Sequence, residues 1–142
     1  MVLQTLYAIM ASLGFAIIFN IKGKNIIYAS MGGGLGWLIY IFCQEFNFST
    51  TASMFMASLA IGTYSEIMAR VIKAPVTVFV VCALIPLVPG GGMYYTMLES
   101  ITGNVDTALK LGIDTLSNAG ALAVGVLLTS SISRLIGRSG SK

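Results

Sequence analysis

One run of residues limits the folds open to this chain: Pro86-Leu87-Val88-Pro89-Gly90-Gly91-Gly92-Met93-Tyr94-Tyr95-Thr96. Proline removes a backbone donor and clashes with the preceding helical turn, while glycine admits left-handed or extended backbone. Two prolines and three glycines therefore predict a break in any helix that reaches this point. The sequence before it is apolar enough to lie in a membrane. In hydrocarbon, irregular backbone survives only where protein or a water-filled cavity satisfies its polar groups. Transporters use such broken helices as binding sites.

The composition says how much of the chain shares that environment. Of 142 residues, 56% are hydrophobic and 9% are charged, against about 25% charged in soluble domains. The whole chain reads as an integral, all-α membrane protein with no room for a soluble catalytic domain. A crossing helix needs roughly 20 apolar residues, with a range of about 17–25. Five apolar segments fit: Val2 to Phe19, Ile26 to Cys43, Thr51 to Arg70, Pro75 to Val88 and Asp106 to Leu135. The fourth is short and ends at the Pro86–Gly92 break, and Met93 to Thr102 follows as a possible short helix. The fifth is longer than a crossing needs and is free to tilt. Residues 1–137 form one transmembrane helical domain, and 138–142 a disordered tail. The N-terminus has no basic stretch or small-residue cleavage signal, so the first segment is expected to stay as a membrane helix.

Charge placement orients the segments. Cytoplasmic loops collect Lys and Arg. Lys22, Lys24, Arg70, Lys73, Arg134, Arg138 and Lys142 all fall on one side of a five-helix arrangement, and Lys110 is the exception. The N-terminus is then outside and the C-terminus cytoplasmic, as for a multi-pass protein of the cell inner (plasma) membrane. Many transporters place their substrate between two related repeats. A lone five-helix unit with one broken helix implies a second half, either an identical chain or a different membrane subunit.

Several positions bear on function. The first turn of a helix after the break offers free N–H groups and partial positive charge, suited to a carboxylate. Pro89, Gly90, Gly91, Gly92, Tyr94, Tyr95 and Thr96 are thus candidate substrate-binding residues. The bland alternative is an external turn followed by an interfacial helix with its tyrosines in the aromatic belt. Lys110, Asp114 and Ser117 share a helical face, and Asn118 extends the polar stripe. Charge inside a membrane helix marks a cavity or a partner, unless these residues lie at the headgroups. Asp114 and Asn118 join the substrate-binding set. Glu66 and Arg70 are spaced i, i+4 in the favoured order, as an inner-leaflet ion pair or as a gate or coupling carboxylate. Gly32 and Gly36 form the small-residue pattern that lets helices approach closely, within the chain or against another subunit.

No His occurs, and Cys43 and Cys82 sit in apolar runs, where they read as small buried hydrophobes. No metal, cofactor or nucleic-acid site is expected, and no nucleophile–base pair suggests an enzyme.

The order of the motifs resembles a known family. Gly32-Gly33-Gly34-Leu35-Gly36-Trp37, Ala60-Ile61-Gly62 with Glu66-Ile67-Met68-Ala69-Arg70, Lys73-Ala74-Pro75-Val76-Thr77-Val78-Phe79 and Ile85-Pro86-Leu87-Val88-Pro89-Gly90 are similar to the small membrane subunit of the threonine/serine exporter family. The resemblance runs from about residue 5 to 130. It implies export of small carboxylates, either threonine and serine or dicarboxylates such as succinate, together with a second membrane subunit. It assigns no substrate contacts. A pore-forming homo-oligomeric channel and a non-transporting accessory subunit remain the alternatives.

Overall fold

The computed structural model describes residues 1–139. They form α1 (Val2–Ile18), α2 (Asn25–Glu45), α3 (Thr50–Ile72), α4 (Val76–Leu84), a 3-10 turn (Ile85–Leu87), α5 (Gly90–Thr102) and α6 (Val105–Ser139). Among the described residues there is no strand, in keeping with the all-α reading. α6 continues past the expected start of the tail at Arg138, and residues 140–142 lie outside the described residues.

Local chemistry sets the helix boundaries. Asn20 and Asn47 turn the chain with left-handed φ values of 56° and 60°, a conformation that Asn tolerates better than most residues. Ser49 caps α3 by accepting a hydrogen bond from the Ala52 N–H at 3.2 Å. Lys73 ends α3 in the left-handed region, Ala74 N–H donates back to the Ala69 carbonyl at 3.1 Å, and Pro75 opens α4. Gly103 (φ 87°) ends α5, and Asn104 N–H closes that turn on the Glu99 carbonyl at 2.9 Å.

The break is narrower than the sequence suggests. Only Val88 and Pro89 separate the 3-10 turn from α5, and Gly90, Gly91 and Gly92 form the first helical turn of α5. The prolines do the interrupting, because neither has an N–H to donate. Glycine merely permits irregular backbone, and the first-turn N–H groups of a helix need no intrahelical partner. The axis bends by 50° between Val76–Leu87 and Gly90–Thr102. α4 and its 3-10 turn total twelve residues, about 18 Å of helix at 1.5 Å per residue. That is too short for a hydrocarbon core of about 30 Å. Joined to the 13 residues of α5, the bent pair is long enough.

By length and apolarity, α2 and α6 each suffice to cross a membrane, and the bent pair adds a third candidate if its two helices form one broken span rather than a re-entrant loop. α1 is apolar but has only 17 residues. α3 has 23 residues, with Ser, Thr, Glu66 and Arg70 distributed along it.

α1 to α4 form the packed body. Met54, Ala57 and Ile61 of α3 meet Val80 and Ala83 of α4, Leu87 of the 3-10 turn and Leu122 of α6. A second cluster joins Ala16, Ala29, Ala69, Phe79 and Cys82. The glycines of α2 work inside the chain: a Cβ on Gly36 would collide with Ile61, and one on Gly33 with Ser12. α3 and α6 approach the same way, Gly62 against Thr129 and Gly125 against Ser58. α6 in turn carries α5, which has no buried residue.

Replacing Gly62 by Val should cost about 1–3 kcal/mol through overpacking against Thr129, read as a lower unfolding midpoint in mild detergent. Gly14→Ala, whose Cβ would meet nothing within 4 Å, should cost nothing and stabilise by up to about 1 kcal/mol, because Ala suits a helix interior better than Gly.

Candidate functional site

The α5–α6 junction is built from two reciprocal pairs of small residues. A Cβ on Gly92 would collide with Thr115, and one on Gly112 would touch Thr96 Cγ2 at 3.4 Å. The hydroxyls at this junction are turned onto their own helices. Thr96 Oγ1 donates to the Gly92 carbonyl at 2.7 Å, and Thr115 Oγ1 to the Leu111 carbonyl at 2.6 Å. The Thr96 proton is therefore committed, and its oxygen has lone pairs left to accept with. Between the helices lies a cleft of about 470 Å³ lined by Thr96, Ser100, Gly112 and apolar side chains.

Other candidates in this region lie outside that cleft. Tyr94 and Tyr95 are 63% and 55% exposed and pack edge to face with centroids 5.3 Å apart. Nothing lies within 4 Å of a Cβ placed on Gly90 or Gly91. Asp114 is exposed on α6, and among the described residues its carboxylate has no hydrogen-bond or ion-pair partner. Asn118 is half-buried and tied to α3: its Oδ1 accepts from Thr51 Oγ1 at 2.8 Å. Asp114 and Asn118 are thus one turn apart, but Asn118 faces the α3 interface and Asp114 the surroundings.

At the other end of α6, three side chains form a compact polar group. Ser133 Oγ donates to Glu66 Oε2 at 2.7 Å and accepts from Arg70 Nη2 at 2.6 Å. The same guanidinium nitrogen donates to the Ser133 carbonyl at 2.9 Å. Glu66 and Arg70 are one helical turn apart, as their spacing requires, but a hydroxyl from α6 sits between them. Among the described residues no ion pair closer than 4 Å forms, so the direct pair expected from i, i+4 spacing is replaced by a bridge. Beside it lies a cavity of about 220 Å³ lined by Thr63, Glu66, Arg70, Thr129, Ser133 and two isoleucines.

Ser133 did not stand out in the sequence, where it lies in a Ser/Thr-rich stretch from Thr129. Its signal was positional: Gly125, Thr129 and Ser133 recur every four residues on the stripe that α6 turns to α3. Among the described residues no Cys, Asp and Glu side chains come together in a group able to hold a metal ion.

Residues 4–132 match the model of the threonine/serine exporter family, ThrE. The chain belongs to that family. The match takes in α1 to α5 and most of α6, including Glu66, Arg70 and the Pro86–Pro89 turn, and stops one residue short of Ser133. No solved structure matches the chain. As a threonine/serine exporter-type membrane protein it has a small-molecule substrate and a lipid environment, and the family is one of exporters rather than enzymes.

In a ThrE-family chain folded this way, cysteines placed at Thr51 and Asn118 in a background without Cys43 and Cys82 should form a disulfide under mild oxidant. Cysteines at Thr51 and Ser117, which turns away from α3, should stay reduced. Gel mobility with and without reductant checks both.

Proposed function

We propose that this chain is one membrane half of a secondary exporter of small carboxylates, threonine and serine first, with dicarboxylates such as succinate as the alternative class. The observation that supports it best is the two-sidedness of α6. Its inner stripe, with Ala108, Thr115, Leu122 and Gly125, is buried. Its outer surface carries Lys110, Asp114 and Ser117 exposed, and only 17% of its apolar span is buried. An acidic residue within a membrane helix costs about 2.5–3.5 kcal/mol on insertion scales unless it faces a partner or a water-filled path. A second membrane subunit of the same family, or a second copy of this chain, supplies that cover.

In this reading α1, α2, α3, the bent α4–α5 pair and α6 make five crossings in the inner membrane. The N-terminus is outside and the C-terminus cytoplasmic, and residues 1–137 act as a single transmembrane domain. The path runs along the surface that α5 and α6 present to the second half. The Pro89–Gly92 turn supplies backbone N–H groups for a carboxylate, Tyr94, Tyr95 and Thr96 supply hydroxyl oxygens, and Asp114 lines the way with Asn118 behind it, tied to Thr51 of α3. Glu66 and Arg70 stand at the cytoplasmic mouth, on the same side as Lys73 and Arg134.

Export is tested by efflux from preloaded cells expressing this chain alone or with a neighbouring membrane subunit. Asp114→Asn should cut saturable efflux by about tenfold or more, equivalent to about 1.4 kcal/mol, without lowering the amount of protein in the membrane. Unchanged efflux in Asp114→Asn and Pro89→Ala would remove these residues from the path. Saturable efflux from this chain alone would assign the second half to a copy of itself, and non-saturable flux would favour a pore. For orientation, Cys at Asn104 should react with an impermeant thiol reagent added outside, and Cys at Lys24 should be protected until the membrane is opened. The reverse pattern would invert the topology.

A further inference from the structure

Resting on the exporter reading above, the geometry points to a binding site for a zwitterionic amino acid between α3 and α6, with Glu66 taking the ammonium and Arg70 the carboxylate. Ser133 is its resident occupant. The three side chains show how such a ligand would be held. One hydroxyl satisfies a carboxylate and a guanidinium together, at 2.7 Å and 2.6 Å, so the two charges are spaced for a small polar group rather than for each other.

Each charged group keeps capacity. Among the described residues Glu66 Oε1 and the remaining guanidinium nitrogens of Arg70 have no partner. Both residues line the adjoining cavity of about 220 Å³, with Thr63 and Thr129 beside them. That volume lies below the roughly 300–1,000 Å³ of pockets for drug-sized ligands, which suits a metabolite of serine or threonine size. The hydroxyls of Thr63 and Thr129 donate to carbonyls on their own helices and so present acceptor lone pairs to a ligand hydroxyl.

Charge also decides the ligand class. A dicarboxylate would set one carboxylate on Arg70 and crowd the other against Glu66, where like charges repel. An α-amino acid places a cation and an anion on one carbon and matches both partners. When it binds it takes the groups that Ser133 now uses, so occupancy frees the cytoplasmic end of α6 from α3. No bond is made or broken apart from hydrogen bonds.

The test is equilibrium binding of radiolabelled L-serine to the full chain in lipid nanodiscs, with competition by 3-hydroxypropanoate (no ammonium), serine methyl ester (no carboxylate) and succinate. Serine should outcompete all three by about tenfold or more, the scale of losing a hydrogen bond to a charged group. Glu66→Gln and Arg70→Gln should each weaken serine by a similar factor, and Glu66→Gln should narrow the preference over succinate. Ser133→Ala removes the internal competitor and leaves both charges, so it should tighten serine binding severalfold, a gain that misfolding cannot mimic. Equal binding of serine and 3-hydroxypropanoate, unchanged serine binding in Glu66→Gln and Arg70→Gln, weaker binding in Ser133→Ala, or no serine binding by the unaltered chain would each overturn the site. Efflux from cells separates the two ideas. Normal serine efflux by Glu66→Gln and Arg70→Gln would refute this site and leave the exporter reading standing. Serine binding of the stated pattern without efflux would refute export and support the site.

Discussion

The close approach of α3 and α6 at Gly62 and Gly125 supports everything on the far side of the bundle. Each glycine receives a hydroxyl-bearing side chain, Thr129 or Ser58, where a Cβ would otherwise stand. Lipid tails are as apolar as leucine, so helices in a bilayer associate through such packing and through interhelical hydrogen bonds of about 0.6 kcal/mol on average. α6 is pinned at two heights, by Thr51 to Asn118 and by Glu66, Ser133 and Arg70. α5 packs onto α6 through Gly92 and Thr115, so its placement depends on that of α6.

This arrangement splits α6 into two faces with different chemistry. One face is a seam of Ala, Gly, Ser and Thr committed to α3 and α5. The other mixes apolar side chains with Lys110, Asp114 and Ser117. In lipid, that second face is tolerable where another protein surface or water meets it. The body of α1 to α4 is the fixed part, with Ile61, Phe79, Cys82 and Leu87 almost wholly buried.

The helices themselves were plain in the sequence, because apolar runs broken by the Asn20–Asn25 turn and the Lys73-Ala74-Pro75 turn leave little choice. The predicted second and third segments match α2 and α3 to within a few residues. The break falls inside the expected Pro86–Gly92 run but is narrower, because proline and glycine differ in what they do to a helix. Pro86 and Pro89 interrupt the helix, whereas Gly90–Gly92 fold as its first turn. Glu66 and Arg70 were legible from their i, i+4 spacing, but that spacing speaks only for one helix. Ser133 arrives from 67 residues away, and one chain read alone does not say which helix packs on which. Asp114 and Asn118 looked like one polar stripe and are offset by only about 40° around α6, but that stripe runs along the edge of the α3 seam, so Asn118 meets Thr51 while Asp114 stays exposed.

Spin labels at Val71 on α3 and Leu135 on α6, both exposed, test the central claim most directly. Their pulsed-EPR distance in lipid reports whether α6 is docked on α3. The account predicts one narrow distance without ligand and a second, longer population when serine is added. A broad distribution without ligand, or a single distance unmoved by serine, would contradict it.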